Sequence, residues 1–300
     1  MTSAIRSQYT DLFYENALPA LREVIFDQFE KQPDLVPMVF KIETDESWGV
    51  QDTTYTGLGA AVEKLEGEDV TFDRAMQGYD KTYRHVTYAI AASLSEELIE
   101  DNRMNLIEQV YRSLGTSMYQ TKQVTAFNIL NDGFTTTGPD GENLFDTGHP
   151  LIGGGTYANR PTTDIALSVA GMREMETSLM RQTNDRGINI VIMPRTLVVP
   201  PDLKYIANEL TKSEYKPQTA NNEINTFNGS YSLVVSPFLT STTAWFATAE
   251  TSQLQLKFIS RLEPSERSWV DEKTGSVNTR IRCRFSVGYS DYKGTWGTTG

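Results

Sequence analysis

Residues 280–285 read Arg-Ile-Arg-Cys-Arg-Phe. Side chains alternate along a strand, so Arg280, Arg282 and Arg284 share one face and Ile281, Cys283 and Phe285 the other. Three aligned guanidiniums repel one another unless carboxylates, phosphates or water screen them. Three readings follow: contact with nucleic acid, pairing with acidic side chains, or a solvated face. The 27 basic and 39 acidic residues give a formal net charge of −12, and a chain of that balance repels phosphate. The face is therefore expected to meet carboxylates, in its own subunit or a neighbour, and not DNA.

Other candidate chemistry is sparse. No P-loop, GxGxxG, HExxH or GxSxG pattern occurs. Gly153-Gly154-Gly155 lacks the following Lys and Ser/Thr of a phosphate-binding loop and reads as a surface loop. Glu96-Glu97, Glu100-Asp101 and Asp271-Glu272 are carboxylate pairs. A glycosidase needs two such groups facing one cleft at a set separation, which adjacency in sequence does not supply. A hydrolase using paired carboxylates is the alternative kept in view, and it would need a concave cleft. The two histidines, His85 and His149, read as hydrogen-bonded residues of a strand and of the turn-rich Thr147-Gly148-His149-Pro150. The single cysteine, Cys283, excludes an internal disulfide and a multi-cysteine zinc site, and reads as a buried thiol. No catalytic residue, cofactor or metal is expected. No apolar run approaches the ~20 residues of a membrane helix, and residues 1–15 hold no apolar signal core, so neither membrane insertion nor export by that route is expected.

The elements that must position these residues follow from periodicity. Residues 1 to about 32 keep helical spacing (Ile5, Tyr9, Leu12, Phe13, Leu21, Val24, Ile25, Phe29), with Pro19 placed to kink or divide the helix. Residues 46–80 carry glycines at 49, 57, 59, 67 and 78 and few large aliphatics. They read as an extended hairpin that cannot build its own core. Residues 83–92 read as a strand. Ser93-x-x-Glu96 reads as a capping box, opening a helix over 94–130 of about 55 Å that Asp101-Asn102 could interrupt. Residues 132–162 are loop-rich. A helix is expected over 164–181, strands over 188–193 and 196–199, and a short helix capped by Asp202. Strands at 231–236, 244–249 and 254–258 would complete one sheet. Residues 267–271 and 277–287 flank Glu272-Lys273-Thr274-Gly275, a hairpin turn. No internal repeat is present.

This order of arm, hairpin, long helix, α/β unit and C-terminal strands resembles the major capsid proteins of tailed bacteriophages, an α+β, HK-ninety-seven-like fold. Local motifs point to the Mu-like major head subunit group. Leu144-Phe145-Asp146-Thr147-Gly148-His149-Pro150, followed by a glycine-rich turn and Asn159, is similar to that group's F-[ST]-x-x-HP…N segment. Leu197-Val198-Val199-Pro200-Pro201-x-Leu203 is similar to its L-x-V-P-P-x-L step. Asn221 to Asn225, then Val234-Val235-Ser236-Pro237-Phe238-Leu239 and Ala244-Trp245-Phe246, match its N…VVSPxL…AWF run. The likeness covers nearly the whole chain, departing around residues 45–75.

The resemblance implies an N-terminal arm over 1–44, an E-loop hairpin over 45–80, and a peripheral domain over 81–162 with its spine helix at 93–130. An axial domain would span 163–255, and residues 256–300 would return as strands of the peripheral domain. It implies a structural subunit that is no enzyme, assembling into pentamers and hexamers of an icosahedral shell around double-stranded DNA. Partners would be portal and scaffolding proteins and, on some shells, a cement protein, with the DNA enclosed without specific binding. The place would be the virion capsid, and the host cytoplasm during assembly. Arg280, Arg282, Arg284, Tyr55 and Lys64 are the candidate inter-subunit contacts. No Lys–Asn cross-link is expected, because nothing identifies a partner for Lys64. No cleavable scaffolding segment is expected ahead of the arm.

Overall fold

The computed structural model describes residues 17–101, 103–215 and 224–300. Helix α1 (Leu18–Glu30) buries Leu18, Leu21 and Ile25. Pro19 stands in its first turn, where a missing N–H costs nothing. The earlier part of the expected helix, with Ile5, Tyr9, Leu12 and Phe13, lies outside the described residues. A short helix, α2 (Val36–Val39), leads into β1 (Lys41–Thr44).

The hairpin is β2 (Gly49–Tyr55) and β3 (Gln77–Arg84), paired from Gly49↔Arg84 to Tyr55↔Gln77. The single strand expected over 83–92 is instead the end of β3 and the start of β4 (Val86–Leu94), separated by His85. The break has a cause: β3 pairs with β2, β4 pairs with the later strand Val277–Tyr289 (β11), and the chain changes sheets between them.

The expected cap at Ser93 is displaced. Ser93 still belongs to β4, opposite Asn278, and the ladder closes only at Val277↔Leu94. Ser95 is the cap of α3 (Glu96–Glu100), its Oγ accepting the Leu98 N–H at 3.3 Å. The long helix is broken, as Asp101-Asn102 suggested, and resumes as α4 (Met104–Asn131). Its 28 residues span about 42 Å. Gly115 is the point where α1 crosses it: a Cβ there would stand 2.4 Å from the Ile25 carbonyl oxygen.

Residues 132–162 hold only β5 (His149–Pro150) and β6 (Thr156–Tyr157). Then come α5 (Val169–Met180), β7 (Pro194–Val199), a 3-10 turn (Pro201–Leu203), α6 (Lys204–Lys212), β8 (Ser232–Val235) and β9 (Trp245–Ala249). The last strands are β10 (Leu256–Val270), β11 (Val277–Tyr289) and β12 (Thr295–Thr298). Ser168 caps α5, so the helix starts later than expected. Asp202 makes no side-chain cap; the Leu203 N–H closes the turn on the Pro200 carbonyl. Residues 188–193 are not a strand. Their amides bond locally, Ile190 to Gln182 and Ile192 to Ile190, and Val191 and Met193 face solvent.

The main sheet has the order β1-β10-β11-β4, and the second β12-β9-β7-β8. Residues 256–258 thus belong to β10 and the main sheet, not to the second sheet, because Leu256 pairs with Tyr289. β12 takes the edge beside β9. Two cores result. One lies between α1, α4 and the main sheet, with Ile107, Tyr111, Met118, Phe127, Ile281 and Phe285. The other joins α5, α6 and the second sheet around Met172, Leu197, Trp245 and Trp296.

Candidate functional site

β11 separates two chemistries. Val277, Thr279, Ile281, Cys283 and Phe285 are buried toward the α4 side. Cys283 lies 3.1 Å from the Met118 sulfur, and burial pushes its thiol up to about 12, so it is inert at neutral pH. On the opposite face Arg280 stands opposite Arg267 and Ala91, Arg282 opposite Ser265 and Ala89, and Arg284 opposite Leu262 and Thr87. Among the described residues none of the three forms an ion pair, and the buried Nε atoms of Arg280 and Arg284 have no hydrogen-bond partner. The expected carboxylate in the same subunit is therefore not found among those residues.

The same face is covered at its other end. His85 tucks its Nδ1 3.2 Å from Ser286 Oγ and its Nε2 3.3 Å from Asp45. Lys257 reaches Asp52 at 2.5 Å, Ser290 Oγ donates to the same carboxylate, and Tyr83 bonds Ser290 at 2.6 Å. Gly288 is required here, since a Cβ would sit 2.9 Å from the Tyr83 ring. The hairpin base is thus packed on its own sheet, and burial raises the Tyr83 hydroxyl far above its ordinary range.

Beyond that base, residues 60–77 are all exposed. Phe72 is 95% exposed, and Leu58, Val62, Leu65 and Val70 are also in solvent. Tyr55 lies on the last pair of the hairpin, 69% exposed, and Lys64 lies in the loop. The structure therefore brings neither near the arginine ladder. The loop is closed by a neck that sequence reasoning missed. Asp73 accepts the Gly59 N–H at 2.7 Å and two bonds from Arg186 Nη1 at 2.8 Å, while Arg186 Nη2 donates to the Arg74 carbonyl. The Gly59 amide and the Arg186 guanidinium hold the Asp73 carboxyl below its usual range. No spacing rule links residues 73 and 186, so the sequence carries no signal for this pair.

His149 is a structural residue. It is 1% exposed, bonds Asp140 through Nδ1 at 2.6 Å and Asn159 Oδ1 through Nε2 at 3.0 Å, and stacks on Tyr292. Asn159 donates to the Leu144 carbonyl and Thr295 Oγ1, and accepts the Asp146 N–H. The His-Pro…Asn motif thus ties the 132–162 segment to the C-terminal strand. Gly153 to Gly155 form the tight turn between β5 and β6.

Among the described residues, the paired carboxylates line none of the clefts bordered by Asp34, Asp52 or Asp140. Glu96, Glu97, Asp101 and Glu272 are exposed on turns and helix ends. A cleft of about 200 Å³ under the main sheet does hold Asp34 and Glu263. Asp34 is occupied by Lys122 and Gln123, and Glu263 by Ser260. No group of three or more metal-binding side chains occurs among the described residues. In the matched N…VVSPxL…AWF run, Asn221 lies outside the described residues. Asn225 is buried and bonds the Leu210 and Ser213 carbonyls, closing the segment on α6.

Comparison with known proteins agrees with this geometry. The major capsid protein of Escherichia phage Mu is 24% identical over 127 residues, 42% of this chain, and the match covers 40% of that relative's own length. A chain of the procapsid of bacteriophage JBD30 superposes with a TM-score of 0.51 at 15% identity, over 95% of this chain and 76% of that one. The virus-like particle from Pyrococcus furiosus gives 0.56 at 10% identity, over 94% and 99%. A chain of Microbacterium phage Oxtober96 gives 0.57 at 10%, over 89% and 92%. The shared feature at these identities is the fold, the α+β, HK-ninety-seven-like capsid fold. A family model described as phage capsid protein matches residues 78–297, most of the chain, and the chain belongs to that family.

Proposed function

We propose that this chain is the major head subunit of a tailed bacteriophage. It self-assembles into pentamers and hexamers that close into an icosahedral shell around double-stranded DNA, and it performs no catalysis. One observation carries the reading: a loop with seven exposed large hydrophobics, from Tyr55 to Met76, extends from a subunit that offers it no core. Such a loop gains burial only from neighbours, and obligate interfaces of that kind are large and apolar. Tyr55, Lys64, Arg280, Arg282 and Arg284 are the proposed inter-subunit contacts.

In this reading residues 1–44 form the arm and 45–80 the E-loop. Residues 81–162 and β10–β11 make the peripheral domain, and 163–255 the axial domain, which β12 joins. The net charge of −12 keeps packaged DNA from adhering to the wall. Scaffolding and portal proteins, and a cement protein on some shells, are the proposed partners. Assembly takes place in the host cytoplasm and the mature location is the virion. Negative-stain microscopy of the purified chain tests this. Closed shells or sheets of capsomers are expected, and monodisperse monomers at all concentrations would overturn it.

A further inference from the structure

The edges of the two large sheets are guarded unequally. β1 is four residues long and carries Lys41 and Glu43. β8 is equally short, and β12 is buried throughout. Short strands and charged side chains keep an edge from pairing with a second chain. β4 has neither. It is nine residues long, Val86–Leu94, without a charge or a proline, and its register against β11 is unbroken. Among the described residues no strand lies on its other flank. Six of the nine residues are exposed, with Val86 at 50% and Ile90 at 41%. Along that flank, alternate N–H and C=O groups have no ladder partner among the described residues.

The strand is complementary to itself. Turned antiparallel about Ile90, a second copy sets Val86 opposite Leu94, Thr87 opposite Ser93, Tyr88 opposite Ala92 and Ala89 opposite Ala91, with Ile90 opposite its counterpart. Apolar meets apolar, hydroxyl meets hydroxyl, the one ring meets a small side chain, and no like charges oppose. A slip of two residues leaves two residues of each copy unpaired. A slip of one sets residues of opposite faces against each other.

The neighbouring elements leave room for this pairing. α4 lies over β11, touching it at Tyr111–Thr279 and Met118–Cys283. Two copies joined at β4 hold their β11 strands three strand spacings apart, about 14 Å. That exceeds the roughly 8–10 Å at which helices pack, so the two α4 helices clear each other. It also exceeds the screening length of about 8 Å at physiological salt, so the two rows of β11 arginines do not oppose the contact.

We propose that β4 is a pairing edge: two copies of the chain join β4 to β4, antiparallel about a two-fold axis at Ile90, and their four-stranded sheets become one sheet of eight. The occupant is a second copy because the strand's own sequence supplies the matching register across all nine residues. One such ribbon is a small contact beside the ~800 Å² per partner of a standard stable interface, so it is weak singly and holds where a shell repeats it. The inference rests on the shell-subunit reading and adds to it a contact separate from the loop and the arginines.

The test is cysteine trapping in the full chain. Opposed residues of an antiparallel pair stand about 4.5 or 5.5 Å apart at Cα, and both separations lie within disulfide reach. Ile90→Cys should therefore give a covalent dimer on oxidation with copper-phenanthroline. Thr87→Cys alone and Ser93→Cys alone should give none, because each lies six residues from its counterpart, about 20 Å along the strand. A mixture of those two variants should cross-link, and links from either alone overturn the register. Cys283 is 4% exposed and stays silent. Shells or capsomers that form without the expected links overturn the pairing and leave the shell reading standing. A wild-type chain that never associates overturns both. A charge exchange is the second arm. Ile90→Lys and Ile90→Glu should each raise the concentration needed for assembly about tenfold or more, with the urea midpoint of the soluble subunit nearly unchanged. An equimolar mixture of the two should recover to within about threefold of the wild type, since position 90 of one copy faces position 90 of the next. Equal loss in the mixture, or assembly at the wild-type concentration by either variant alone, overturns the pairing.

Discussion

Residues 56–76 and 132–162 are alike in sequence: glycine-punctuated, polar, short of regular structure. In the fold they part. The second segment sends Leu144 and Phe145 into the main core, with no exposed surface, and fixes itself through His149 and Asn159 to Tyr292 and Thr295. The first buries only Thr56, and holds itself by the Asp73–Arg186 neck. Loop character alone says little about order. What decides is whether a segment carries groups that its own subunit can enclose, and the 56–76 segment keeps its apolar side chains for something else.

Four substitutions and one pH dependence would break or sharpen that contrast. The largest concerns Phe145, which packs against Phe134 and Phe246. Phe145→Ala should cost about 3–5 kcal/mol, read as a fall in the urea midpoint of the soluble subunit. Asn159→Ala comes next, at about 2–3 kcal/mol, because it strands the buried His149 Nε2 and the Asp146 amide. If either change left stability untouched, the 132–162 segment would not be pinned as described.

Releasing the neck should matter less for global stability. Arg186→Ala should leave the midpoint nearly unchanged while hydrogen exchange at residues 57–76 quickens. The pH dependence has a fixed sign. Folding favours ionised Asp73, so the neck is fully present above the ordinary carboxylate pKa of ~3.9 and is lost as pH falls through the lowered value. Exchange that quickened on raising pH from 5 to 8, beyond the intrinsic chemical rate, would contradict it. Smallest in the free subunit is Phe72→Ser. Its effect on folding should stay within about ±0.5 kcal/mol, because the ring is in solvent, while assembly weakens. Protection of residues 60–72 in an isolated monomer would show that this tip packs on its own subunit after all.

Local sequence pattern carries part of this architecture. The alternation on β11 and the turn at 272–275 follow from local pattern, and so does the long amphipathic α4. Other features depend on partners distant in sequence. Ser93 and Ser95 both satisfy capping chemistry, and only the Val277↔Leu94 pair decides between them. The run 188–193 has the composition of a buried strand but finds no ladder. Residues 256–258 join the main sheet because Tyr289 waits there, 33 residues on from Leu256. Of the candidate contacts, the arginine face is visible from period two alone. The Asp73–Arg186 neck is not, since 113 residues separate its halves.

The passage from β3 to β4 through His85 has a mechanical meaning. One continuous chain runs from the exposed loop, along the hairpin, into a ladder that holds β4 against β11 from Val86↔Phe285 to Leu94↔Val277. Tension applied to the loop by a neighbour is delivered lengthwise to that ladder. Its hydrogen bonds then bear the load together, in shear, instead of opening one by one as in a peeled hairpin. A pull on the rim of one subunit is thereby spread over the sheet that rests on α4, so a wall of such subunits would resist stretching along these strands more than bending across them.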